Sequence, residues 1–225
     1  IKRVFASTYL KAAKDYIKAT SYNLRDEKMA VIVQKMIGTS FGERFYPDFS
    51  GVARSYNFYP VHPQKAADGI VSAALGLGKM VVEGGSSVRF CPKYPAHLNL
   101  TNDLKTTLQH AQTTFYALPL SASPETDGLE ELIHEYPLKD AELDGTLSML
   151  GSTYSPENNT IYDGISRPGS RLVTFAPLLK SKIFPLAHIL ELVLDMGSWG
   201  MGTPVEIEFA VNLHTPSGQP REFGL

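Results

Sequence analysis

A single cysteine, Cys91, is all that this sequence of 225 residues contains. An intrachain disulfide is therefore excluded, as is a zinc site built on cysteine ligands. A reducing, cytoplasmic setting fits that composition. Long hydrophobic runs are missing too: no stretch of about 18 apolar residues provides a membrane span. Neither sign of charge dominates, since 21 basic and 23 acidic residues give a net charge of −2. No global field draws nucleic acid or an anionic membrane, so a charged ligand has to be met by local charge. The histidines His62, His97, His110, His134, His188 and His214 show no metal-ligand spacing. Ser50 lies in no G-x-S-x-G elbow, which argues against an acyl-transfer hydrolase. There is no internal repeat. The first residues, Ile1-Lys2-Arg3-Val4-Phe5, carry neither an initiator Met nor a signal-peptide pattern, and both ends read as cuts in a longer protein.

What is present is ordinary for a globular chain: 43% apolar and 20% charged residues, enough for one large domain or two small ones. Apolar residues recur at helical spacing over residues 1–18, at Val4, Phe5, Tyr9, Ala12, Ala13, Tyr16 and Ile17. The β-branched run at 29–37 predicts a strand, 41–49 a loop, and the aromatic-rich 50–59 a second strand closed by Pro60. Further strands are expected at 69–74, 87–91, 114–118, 171–176 and 205–212, with a new strand starting at Phe223. A helix is expected at 104–112. Another starts near Pro185, where Pro is tolerated in the first turn, and stops at Gly197. The stretch around 121–177 is polar and irregular, a candidate insertion or flap, and 152–169 is rich in loop formers. The hairpin-like spacing of the strands favours an α+β fold with a mainly antiparallel sheet.

Few residues suggest chemistry. Val205-Glu206-Ile207-Glu208-Phe209 alternates strictly, so Glu206 and Glu208 share one strand face, about 7 Å apart. On a covered face such a pair needs a cation, and Mg²⁺ takes one or two carboxylates plus phosphate oxygens. On a solvated face it needs nothing. Gly76-Leu77-Gly78-Lys79 is not a Walker A loop, because Ala73 and Met80 occupy positions that motif reserves for Gly and for Ser or Thr. The glycines read as a tight turn with Lys79 as a possible phosphate neighbour. Gln34 is a polar residue within an apolar run, expected to be buried and hydrogen-bonded to a purine edge or to neighbouring backbone. Trp199 and the Tyr and Phe residues read as packing groups.

Several segments, in order, resemble one family. Ile1-Lys2-x-Val4-Phe5-Ala6-Ser7 is followed by Met29-Ala30-Val31-Ile32-Val33-Gln34-Lys35-Met36 and by Ser50-Gly51-Val52. Then come Leu75-Gly76-Leu77-Gly78 with Val81-Val82-x-Gly84, and Gly202-Thr203-Pro204-Val205-Glu206-Ile207-Glu208-Phe209-Ala210. Together these look like the nucleotide-binding end of phosphoenolpyruvate synthase and pyruvate phosphate dikinase. The resemblance implies an ATP-grasp-like α+β domain, incomplete at both ends, which uses ATP and Mg²⁺. In the full-length enzyme a histidine on a separate domain would be phosphorylated, and then pyruvate or a related acceptor. It implies Glu208 and Glu206 at the metal and nucleotide, and Gln34 as a hinge residue near the adenine. The isolated chain would then be inactive. The sequence departs from the family at Ser72, Leu75 and Lys79, where Glu, Trp and Glu are usual, and Glu206 replaces an Asp. A degenerate, non-catalytic nucleotide-binding or interaction module is the alternative, as is a dikinase with another acceptor.

Overall fold

In a computed structural model, all residues are described except 22, 24, 99–103, 122–131, 182, 216 and 217. The chain divides into two units, Ile1–Met36 and Ile37–Leu225.

The first unit holds two short helices, α1 (Lys2–Ser7) and α2 (Lys11–Ala19), where the periodicity predicts one. The break falls after Ser7, whose hydroxyl donates to the Val4 carbonyl at 2.6 Å, and Leu10 is extended. A side chain that bonds the backbone one turn earlier competes with continuation of the helix. The strand expected at 29–37 is not formed. A strand needs a neighbouring backbone to pair with, and no described residue pairs with this run, in which Ile32 is 84% and Val33 78% exposed.

The second unit carries β1 (Thr39–Phe41), β2 (Arg44–Tyr46), β3 (Phe49–Arg54), β4 (Ile70–Leu75), α3 (Lys79–Val82) and β5 (Val88–Phe90). There follow α4 (Leu104–His110), β6 (Thr114–Pro119), β7 (His134–Pro137), α5 (Leu138–Leu143), β8 (Gly151–Ser155), β9 (Thr160–Asp163) and β10 (Ser170–Val173). The chain ends with α6 (Ala176–Lys180), α7 (Leu186–Met201), β11 (Glu206–Asn212) and β12 (Glu222–Gly224). The strands form sheets ordered β1-β2-β6-β7, β10-β8-β9 and β12-β11-β3-β4-β5, with antiparallel ladders throughout. The α+β, mainly antiparallel reading holds.

Two expected loops are hairpins. In β1–β2, Phe41 pairs with Arg44 around the two-residue turn Gly42-Glu43, and Gly42 supplies φ +57°. In β8–β9, Ser155 pairs with Thr160, so the turn formers are confined to residues 156–159. Within the 121–177 stretch, Leu138, Ala141, Leu147, Leu150, Val173 and Phe175 join the main core.

The five-stranded sheet has two unlike faces. Phe49, Ala53, Val71, Ala73, Leu75, Phe90, Phe209 and Val211 are buried on one. Leu186, Leu190 and Leu194 of α7, spaced four apart, join the same core, and each such burial stabilises by about 1.5–3 kcal/mol. Helix α7 runs through Gly197, where a stop is expected, and ends at Gly202 in the left-handed conformation. Gly197 serves close approach instead: a Cβ there would lie 3.1 Å from Val205 Cγ2. Trp199 is no core residue. It is 88% exposed, with Leu192 and Met196, on the side of α7 away from the buried leucines.

A buried carboxylate fixes the far end of β11. Asp48, fully buried, accepts the amide N–H of Leu213 at 2.6 Å and of His214 at 3.0 Å, together with His214 Nδ1.

Candidate functional site

The second face of the five-stranded sheet carries charged side chains. Alternation along β11 puts Glu206 and Glu208 on the side opposite the core residues Phe209 and Val211. The register aligns Glu208 with Val52, Val52 with Ser72, and Ser72 with Arg89, so one row crosses four strands. The next row joins Glu206, Arg54 and Ile70. These residues, with Val81 and Val82 of α3 and the Gly84-Gly85 turn, line a cleft of about 230 Å³.

Gly51 lets β3 pack closely against its neighbours. It faces the core, where a Cβ would meet Ser72 O at 2.5 Å and the Phe209 ring at 2.6 Å. Ser50 faces the other way and donates to the Gly76 carbonyl at 2.7 Å, tying the turn before α3 to β3. Gly76 itself has φ +84°, which an L side chain rarely adopts.

The cleft's charges are unequal in their engagement. Arg54 Nε donates to Glu206 Oε2 at 2.5 Å and Nη2 to Oε1 at 3.3 Å. That hydrogen-bonded pairing lowers the Glu206 pKa and raises that of Arg54. Glu208 and Arg89 make no side-chain hydrogen bond or ion pair among the described residues. Glu208 is thus the carboxylate open to a cation. One or two protein carboxylates suffice for Mg²⁺ when phosphate supplies the remaining oxygens. No group of three or more His, Cys, Asp or Glu side chains converges among the described residues, so an all-protein cage is absent there. The donor set fits a metal that arrives with phosphate, held by Glu208, with Glu206 able to join only by loosening Arg54.

Two sequence readings change. Lys79 does not line the cleft: its ammonium lies 3.8 Å from Glu83 and over the Tyr116 ring at 5.1 Å from the centroid. Gln34 is exposed and outside any strand, so the expectation of a buried amide fails with the strand that motivated it. Glu206 and Glu208, expected to share a face, do so over a cleft. Arg54 and Arg89 were missed. The alternation Ser50, Val52, Arg54 marks Arg54's face in retrospect, but only the ladder reveals its partner; Arg89 on a three-residue edge strand reads as a solvated charge.

No helix among the described residues is long and apolar enough to cross a membrane. The family model for the pyruvate phosphate dikinase AMP/ATP-binding domain matches residues 1–220. No curated protein matches the chain.

Proposed function

The chain belongs to the pyruvate phosphate dikinase AMP/ATP-binding domain family, and on that premise we propose that its Glu206–Glu208 cleft holds the phosphates of Mg²⁺–ATP. The ATP-binding role follows the family, and the antiparallel α+β fold is consistent with an ATP-grasp-like domain. The observation that carries the assignment is the convergence of Glu206, Glu208, Arg54 and Arg89 on one cleft.

Glu208 would hold Mg²⁺ and Glu206 would support it, with Arg54 setting how far Glu206 can turn toward the ion. Bound Mg²⁺ supplies neutralisation of phosphate charge, the dominant need in phosphoryl transfer. The chain's own part is positioning: a rigid four-strand row and a glycine turn that lets backbone approach a ligand. In the full-length enzyme the phosphoryl group would pass to a histidine on a separate domain and on to pyruvate or a related acceptor.

The ion pair between Arg54 and Glu206 favours a second reading, in which the site binds nucleotide without transferring phosphate. Labelled ATP separates the two in the full-length protein. Label appearing on a histidine in the wild type, and lost in Glu208→Gln, supports transfer. Tight Mg²⁺–ATP binding without labelling supports the binding module. Transfer undiminished in Glu208→Gln would falsify the site assignment.

A further inference from the structure

Four charged side chains line the cleft, and two of them, Arg54 and Glu206, neutralise each other. The remaining two stand at opposite ends of one row, Glu208 on β11 and Arg89 on β5. Three strand spacings of about 4.8 Å put their Cα atoms roughly 14 Å apart. Between them lie Val52, 8% exposed, and Ser72. Ser87, two residues before Arg89, adds a second hydroxyl. Neither serine hydroxyl nor the Arg89 guanidinium has a partner among the described residues. The cleft therefore has a cation-seeking pole and an anion-seeking pole, with Val52 and the Ser72 hydroxyl between them.

We infer that Arg89, with the hydroxyls of Ser72 and Ser87, is the anion-holding end of the cleft and binds the phosphate chain of the nucleotide, while Glu208 serves the metal end. This rests on the nucleotide reading above and adds to it a phosphate-binding residue. The guanidinium is the suitable group, because its planar fork can hold two phosphate oxygens at once. Ser72 is part of the same arrangement: a carboxylate beside Arg89 would neutralise it, as Glu206 neutralises Arg54, whereas a hydroxyl leaves it available and can donate to the same oxygens. Lys79, the cation that the glycine-rich turn suggests, is held against Glu83 and Tyr116 instead. An arginine on an edge strand also discourages edge-to-edge pairing, but that role does not require it to share the cleft face with Glu208.

Calorimetry on the whole chain tests this with two probes, inorganic tripolyphosphate without metal and Mg²⁺–ATP. Arg89→Gln is expected to weaken tripolyphosphate binding about ten- to hundredfold, the loss typical of a charged hydrogen-bonded contact, with Arg89→Lys in between. Glu208→Gln is expected to leave metal-free tripolyphosphate binding intact and to weaken Mg²⁺–ATP binding. An unchanged melting temperature for Arg89→Gln separates lost binding from lost folding. Equal tripolyphosphate affinity in wild type and Arg89→Gln overturns the inference while the nucleotide reading stands. Arg89-dependent tripolyphosphate binding without any Mg²⁺–ATP binding overturns the nucleotide reading and keeps the anion subsite. Failure of the wild type to bind either probe overturns both.

Discussion

Arg54 and Glu206 face each other across the β3–β11 ladder and close a two-pronged ion pair at the rim of the cleft. Their side chains are 50% and 53% exposed, so solvent screens much of the attraction. Glu206→Gln is expected to change unfolding stability by less than about 1 kcal/mol. Its folded pKa is lowered by Arg54, so the small stabilisation is present above the ordinary carboxylate value of 4.5 and is lost as pH falls through the depressed one. Urea titrations of both proteins at neutral and acid pH check the size and the sign.

Asp48 is the stronger anchor. Asp48→Ala would leave the half-buried amides of Leu213 and His214 without their acceptor, and a loss of about 2–4 kcal/mol is expected. Because these amides follow β11 directly, amide exchange should rise first at residues 211–214. Unchanged denaturation midpoint and exchange would show that the contact contributes nothing.

His214 gives a pH signature of opposite sign. Its hydrogen bond to Asp48 raises its pKa above 6.5. The stabilisation is complete below that ordinary value and is lost as pH rises through the raised one. The stability gap between wild type and His214→Gln is therefore expected to narrow as pH rises above 6.5 through the raised value. A gap that stays constant over this window would rule out protonated His214 as the source.

Gly51 tests steric fit without touching a polar group. Gly51→Ala is expected to cost about 1–3 kcal/mol through overpacking against the Phe209 ring and the Ser72 carbonyl. Thermal unfolding measures it, and a neutral outcome would mean that β3 and β4 separate more easily than their ladder suggests.

Cys91 reports on the fold. It is fully buried, burial raises its thiol pKa, and Sγ donates weakly to the Asp68 carbonyl at 3.5 Å. A thiol reagent at neutral pH is expected to leave the native chain unmodified and to react at once in denaturant. Fast labelling of the native protein would contradict the packing of β5 against β4.

The amino-acid order by itself determined the alternation of Val205 through Phe209, because side chains on any extended chain change sides every residue. It likewise determined the α+β class, since hydrophobic period and turn formers are local properties. It misplaced some elements and side chains whose outcome depended on a partner. Residues 29–37 have strand-forming side chains but no ladder neighbour; Gly197 packs against Val205 instead of ending a helix; Lys79 turns to Glu83 and Tyr116. Only the tertiary structure decided which charges in the cleft cancel and which remain open. Arg54 and Glu206 are 152 positions apart in the chain, and Arg89 and Glu208 are separated by 119 (208 − 89). Coulomb attraction and hydrogen bonding depend on separation in space, which the ladder register sets and the order of residues does not display.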